Sequence, residues 1–427
     1  MEVNFRYVFR DIAGMPSNIH AEVKRKDKET EHTIKNTQHR IQNTEYRIQG
    51  GTVCMNKNNR LRSYMLKELT SYKIHGRTDE TQDPLPLFFQ GSGVEVNVTG
   101  TELWIEIEVD YAMYEPWAWI SLNGAFMSRQ MLMPGTYSLC LFRGMSPEAV
   151  KNVRFFRELQ AMSEDDACHL LIHGFRSDGA FLPVRERSCK LEFIGDSITS
   201  GEGLYGARED MDWIAMYMGN SRNYTRMVAD ALDAECRLIS QGGWGVLCGW
   251  DNDPRHNIPS CYEQICGLAK GETNEKLGAA KPYDFRSWKA DAVIVNLGTN
   301  DAGAFDQPVW TDPVTGETFK LYRGEDGACH PASLERFRQA VTDFLVMIRR
   351  NNPTSHILWV YGMLGDELAP AIREAMDRYQ ETTGDGNTAF LLLPDTTEET
   401  FGSRQHPGVK AHARAAEVIA AYLKTIL

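Results

Sequence analysis

The chain lacks most of what would place it in a membrane, on nucleic acid or in a cross-linked secreted scaffold. No apolar run approaches the roughly 20 residues needed to cross a bilayer. Met1 to Gly14 is interrupted by Glu2, Arg6, Arg10 and Asp11 and has no signal-peptide core. Basic residues are in the minority: 46 Lys and Arg against 58 Asp and Glu leave a net charge of -12, with no basic stripe to offset it. That argues against a nucleic-acid partner. The nine cysteines are odd in number and contain no C-x-x-C pair. A disulfide framework or zinc site is therefore not expected, and a reducing, cytoplasmic compartment is. His256 and His330 lack metal-ligand spacing, so neither metal nor cofactor is expected.

What is present is ample material for a core. Hydrophobic residues make up 42% of the 427 and aromatics 10%, enough for two or three domains of roughly 150 residues each. Residues 1–60 differ from the rest. Asn36 to Gln42 is echoed by Asn43 to Gln49, and Ile34, Ile41 and Ile48 fall seven apart. One apolar residue per heptad buries too little to offset ordering, so a weakly ordered extension is expected.

Residues 61–188 read as β. Val94, Val96 and Val98 alternate with polar residues, as do Leu103, Ile105, Ile107 and Val109. Asn123-Gly124 between apolar residues signals a hairpin. Pro147 to Gln160 is the one stretch that reads as a short helix. Many short strands separated by turns imply an antiparallel, jelly-roll-like β-sandwich.

Over residues 189–427 strands and helices alternate five times. Strands at 191–194, 236–240, 292–297, 356–361 and 389–393 are separated by helical patterns, which implies a five-stranded parallel sheet between helices. The connections Val246–Lys289 and Ala302–Ser333 are long enough to shape a site or lid.

Four blocks follow strand ends: Gly195-Asp196-Ser197, Gln241-Gly242-Gly243-Trp244, Gly298-Thr299-Asn300-Asp301 and His406-Pro407-Gly408. In a parallel sheet they share one edge, where loops converge. Together they hold the parts for acyl transfer. Ser197 is a nucleophile that needs a base. His406, with histidine's ordinary pKa near ~6.5, can accept and return a proton. The N–H groups of Ser197 and Gly243 and the amide of Asn300 can stabilise an oxyanion. Asp196 and Asp301 read as loop ties.

These four blocks resemble those of the SGNH (GDSL) hydrolase superfamily over about residues 190–427. With the β-rich part before them, the chain is similar to carbohydrate esterase family 2. The resemblance implies a jelly-roll-like domain followed by a three-layer α/β/α SGNH domain. It also implies a serine esterase that removes acetyl groups from carbohydrate, as in acetylxylan esterases. Carried over by position, Ser197 is the nucleophile, His406 the base, and Ser197, Gly243 and Asn300 the oxyanion donors. Two positions depart from the pattern. Gly242 stands where a serine is common. Ser403 occupies the place, three before His406, of the aspartate that usually orients the ring. A Ser-His dyad oriented by a main-chain carbonyl is expected, with Asp395 and Glu399 as alternative orienters. Trp244, Trp250 and Trp310 are candidates for stacking on sugar.

The partner expected is an acetylated oligosaccharide or polysaccharide, with no membrane and with homo-oligomerisation open. Two other readings stand beside the acetylesterase. One is a lipase, thioesterase or acyltransferase on the same scaffold. The other is a carbohydrate-binding protein with a relic hydrolase domain.

Overall fold

A computed structural model describes residues 61–427; the 1–60 extension and its heptad-spaced isoleucines lie outside the described residues. Period-two patterning produces two antiparallel sheets facing each other. One contains Glu102–Asp110, His169–Ser177 and Gly135–Arg143; the other contains Gly93–Val98, Lys151–Arg157, Trp117–Leu122 and Ala125–Met131. In Glu102–Asp110 the apolar residues are buried and those between them half-exposed, the signature of a strand with one wet face. The core between the sheets includes Val94, Val96, Ile105, Ile107, Phe155 and Ile172. The hairpin turn falls at Asn123 and Gly124, with φ of 52° and 81°, as a two-residue turn between right-twisted strands requires.

The helix expected within Pro147–Gln160 is instead the strand Lys151–Arg157, paired on both sides. Its alternation carries the reason. Val153 and Phe155 point into the sandwich, whereas Asn152 and Arg154 lie on the other face and stay half-exposed. A helix would scatter those two apolar side chains over separate faces.

The second half builds a parallel sheet from β1 (Lys190–Gly195), β2 (Glu235–Ser240), β3 (Ala292–Asn296), β4 (His356–Gly362) and β5 (Thr388–Leu393), in the order β2-β1-β3-β4-β5. Its inner strands β3 and β4 are nearly continuous apolar runs because both faces are covered. On one face lie α1 (Tyr224–Ala231) and α4 (Val409–Leu423), packing Tyr224, Val228, Ala415 and Ile419 against Phe193, Leu238 and Ile294. On the other lie α2 (Pro331–Asn351) and α3 (Ala369–Thr383), packing Phe337, Phe344 and Ile372 against Val293, Val295 and Trp359. The long connection between β2 and β3 does less as a lid than its length suggests. Ile258, Cys261, Tyr262, Cys266 and Leu268 are buried in that same core, completing the cover over β1 and β2.

Sandwich and sheet are not beads on a string. Phe88, Phe89 and Ala161 from the sandwich half enter the core of the α/β half. Arg77, fully buried, donates to Glu192 on β1 at 2.9 Å and to the carbonyl of Tyr262 at 2.5 Å. Its guanidinium also lies over the rings of Tyr262, Tyr283 and Phe285. A cation so desolvated persists only because carboxylate, carbonyls and aromatic faces replace its water. No helix among the described residues is long and apolar enough to cross a membrane.

Candidate active site

The strand order reverses direction at β1. The chain leaves it for β2 on one side and returns to β3 on the other, opening a crevice at the carboxyl edge. Ser197 starts a single helical turn directly after β1, and Asp196 caps that turn through Ile198 N–H at 3.0 Å. Ser197 N–H is the first of that turn and has no intrahelical acceptor. His406 follows β5 on a short turn before α4. Its Nε2 lies 3.1 Å from Ser197 Oγ, and its Nδ1 lies 2.9 Å from the main-chain carbonyl of Arg404. Two groups 209 residues apart thus meet at hydrogen-bond distance. The ring is oriented by a carbonyl, as the dyad reading expects.

The alternative orienters are elsewhere. Asp395 accepts from the N–H groups of Gly365 and Thr396, and Glu399 is exposed. The reason is local. The turn before His406 folds Arg404 back so that its own carbonyl fills the place a carboxylate would need.

Gly243 follows β2 with φ of 80°, a left-handed conformation that glycine adopts without a Cβ clash. Asn300 follows β3 and donates one amide hydrogen to the carbonyl of Trp244 at 2.9 Å. That bond fixes the amide and leaves its second hydrogen for a ligand. Ser197, Gly243, Asn300 and His406 all line one cleft of about 720 Å³. Asp301 binds the N–H groups of Val246, Leu247 and Cys248 at 2.9, 2.8 and 3.2 Å, and so clamps the loop beyond Gly243 to the turn bearing Asn300. Burial pushes the carboxyl of Asp301 up to about 6 and that of Asp196 up to about 7. For Asp196, the charges of Asp301 and Glu202 push the same way.

Of the three tryptophans, Trp250 lines the cleft and is 52% exposed. Trp244 stacks on His256 and serves the site through its carbonyl. Trp310 lies under the Arg255 guanidinium and is not among the cleft residues.

Sequence reasoning missed the far wall. Tyr114, Gln160, Met162 and Glu164 come from the sandwich half, and Trp213, Glu202 and Arg404 complete the rim. Gln160, 2% exposed, accepts the N–H of Gly242 through Oε1 at 2.8 Å, holding the residue next to Gly243. No spacing in the sequence marks Gln160, because its role depends on how the two halves dock. Glu202 had a faint signal, a carboxylate five residues beyond the serine.

A hydroxyl and an imidazole in contact at the carboxyl edge of a parallel sheet, with N–H and amide donors on the same cleft, define a serine hydrolase layout on a three-layer α/β/α fold. The chain belongs to the GDSL-like Lipase/Acylhydrolase family, whose model matches residues 193–412. Among solved structures it is similar to an acetyl xylan esterase, Est2A, from the rumen bacterium Butyrivibrio proteoclasticus. That chain is 52% identical, with a TM-score of 0.84 over 86% of this chain and 98% of that one. The fold is also that of a family two carbohydrate esterase from Clostridium thermocellum, solved with cellohexaose. Here identity is 22% and the TM-score 0.69, over 83% of this chain and 98% of that one. A curated relative, the cellulase/esterase CelE of Acetivibrio thermocellus, is 23% identical over 344 residues, 79% of this chain and 37% of the relative. The chain spans less than two fifths of the length of the curated relatives it matches.

Proposed function

We propose that this protein is a serine esterase that removes O-acetyl groups from carbohydrate through an acetyl-enzyme on Ser197. The observation that carries the reading is the contact between Ser197 Oγ and His406 Nε2 at 3.1 Å, with Nδ1 already tied to a carbonyl. In the first step Ser197 gives its proton to Nε2 and attacks the acetyl carbonyl. The N–H groups of Ser197 and Gly243 and the free amide hydrogen of Asn300 receive the oxyanion, each donor worth on the order of 3 kcal/mol of barrier. His406 then passes the proton to the departing sugar hydroxyl. Water deprotonated by the same nitrogen releases acetate and restores the hydroxyl. Through both steps the Arg404 carbonyl accepts from Nδ1–H and holds the imidazolium in place.

The cleft lining favours a small acyl group and a polar alcohol. None of its residues is Leu, Ile, Val or Phe; beside Ser197 stand Gln160, Glu202, Gln241 and two glycines. A long acyl chain would find Met162 as its one aliphatic contact among the lining residues, whereas Tyr114, Trp213 and Trp250 offer faces to a sugar. The acetyl xylan esterase at 52% identity supports the same substrate class.

The test is acetate release from an acetylated xylo-oligosaccharide, together with hydrolysis of p-nitrophenyl acetate and octanoate. Acetate turnover that Ser197→Ala abolishes is expected; preference for octanoate would defeat the acetyl assignment.

A further inference from the structure

Ser403, where an orienting aspartate would stand, is buried, and its hydroxyl has no hydrogen-bond partner among the described residues. A neutral carbonyl orients His406 instead. It fixes the tautomer but brings no charge to meet the imidazolium, which is half of what a triad carboxylate does.

The residue supplying that carbonyl is unusually held. Arg404 and Gln405 both have φ of 55°, a left-handed conformation that residues with side chains keep only where their surroundings enforce it. Four bonds enforce it here. Ser403 N–H donates to the Gly203 carbonyl at 3.0 Å and Arg404 N–H to the Asp210 carbonyl at 2.8 Å. Arg404 Nε donates to Glu202 Oε1 at 3.0 Å and Nη1 to the Met211 carbonyl at 3.2 Å. Glu202 is tied in turn to the nucleophile, its N–H donating to the Ser197 carbonyl at 2.9 Å. Its side chain is 8% exposed, and Oε1 lies 3.8 Å from His406 Nε2.

The other charged groups around His406 do not duplicate this one. His412 on α4 is fully buried and pushed down to about 3 by burial, so it is neutral. Asp196, at the cap of the nucleophile turn, is buried and pushed up to about 7. Glu164 lines the far wall from the sandwich. Among the described residues, the carboxylate within 4 Å of the ring belongs to Glu202.

We propose that Glu202 and Arg404 are a positioning pair standing in for the third member of a triad: Glu202 presents a negative charge to His406 from the Nε2 side, while Arg404 anchors Glu202 by its guanidinium and His406 by its carbonyl. The proposal rests on the esterase reading for its catalytic consequence, but its electrostatics can be tested without turnover. Removing the charge of Glu202 disfavours the imidazolium. Removing the cation of Arg404 leaves that charge unopposed and favours it. The two variants should therefore move His406 in opposite directions, which a purely structural contact would not do.

The experiment measures diethyl pyrocarbonate modification of His406 against pH in the full chain, read by peptide mass spectrometry. The acid limb of kcat/KM on p-nitrophenyl acetate is measured in parallel. With the carboxylate 3.8 Å from Nε2 made neutral, Glu202→Gln should shift both profiles to lower pH and lower the plateau of kcat/KM. Arg404→Met should shift both to higher pH and also lower the plateau, with Arg404→Lys recovering part of the loss. Thermal melts identify misfolded variants, for which Glu202→Met and Arg404→Gln, which also remove the charges, give the same comparison. Modification profiles coincident with wild type in both variants overturn the pairing. Shifted modification profiles from a chain with no esterase turnover would uphold the pairing and reject the proposed function.

Discussion

Replacing Gln160 with leucine should slow the enzyme without weakening substrate binding. The side chain enters from the sandwich, is 2% exposed, and contributes one relevant bond: Oε1 accepts the Gly242 N–H at 2.8 Å. Leucine fills similar space but cannot accept. A half-buried N–H left without a partner costs about 1–3 kcal/mol. The loop can recover part of that by turning the peptide toward water, which carries Gly243 with it. Gly243 N–H is one of three proposed oxyanion donors, each worth on the order of 3 kcal/mol. Displacement of one donor short of its full loss predicts a fall in kcat of between ~10- and ~100-fold. Because the oxyanion exists only after attack, kcat and kcat/KM should fall together and KM should stay within about twofold. Steady-state kinetics on p-nitrophenyl acetate, with melting temperature as a check on folding, reads this directly. A folded Gln160→Leu variant with kcat within twofold of wild type would refute the claim that the sandwich shapes the oxyanion loop. A change confined to KM would move Gln160 to substrate contact instead.

Other outcomes follow from the same geometry. Gly203→Ala would place a Cβ 2.4 Å from the Ser403 carbonyl and 2.8 Å from His406 Cβ, at a φ of 74°; displacement of His406 should cut kcat at least about tenfold, read by the same assay. Arg77→Leu removes one partner of a buried ion pair and strands Glu192, and should destabilise by about 3–5 kcal/mol in urea unfolding. Asp196 is raised from 3.8 to about 7 by burial, so its contribution to stability is full below about pH 4 and is lost as pH rises through 7. Asp196→Asn should therefore flatten the decline in unfolding free energy between about pH 4 and 7, measured as the difference from wild type. Asn300→Ala should lower kcat about 100-fold with little change in KM.

Much of this protein is legible in its sequence alone. Period-two alternation at 94–98 and 103–109 marked a sheet with one dry face, and apolar runs alternating with helical patterns marked a covered parallel sheet, because side-chain burial imposes those periods on any chain that folds so. The four blocks at strand ends named Ser197, Gly243, Asn300 and His406, since a parallel sheet brings all such ends to one edge. Ahead of 151–157, Pro147 and Glu148 look like a helix start, yet the segment is a strand, because local signals lose to pairing on both sides. What only the tertiary structure decided is everything that depends on docking. Gln160 reaches the Gly242 loop from another sheet. Arg404 turns its carbonyl onto His406 in a backbone conformation no periodicity reports. Glu202 stands 3.8 Å from a ring 204 positions further along the chain. Periodicity records which face of an element is dry; it carries no record of which element lies opposite, and the groups around the serine are brought there by exactly such opposing surfaces.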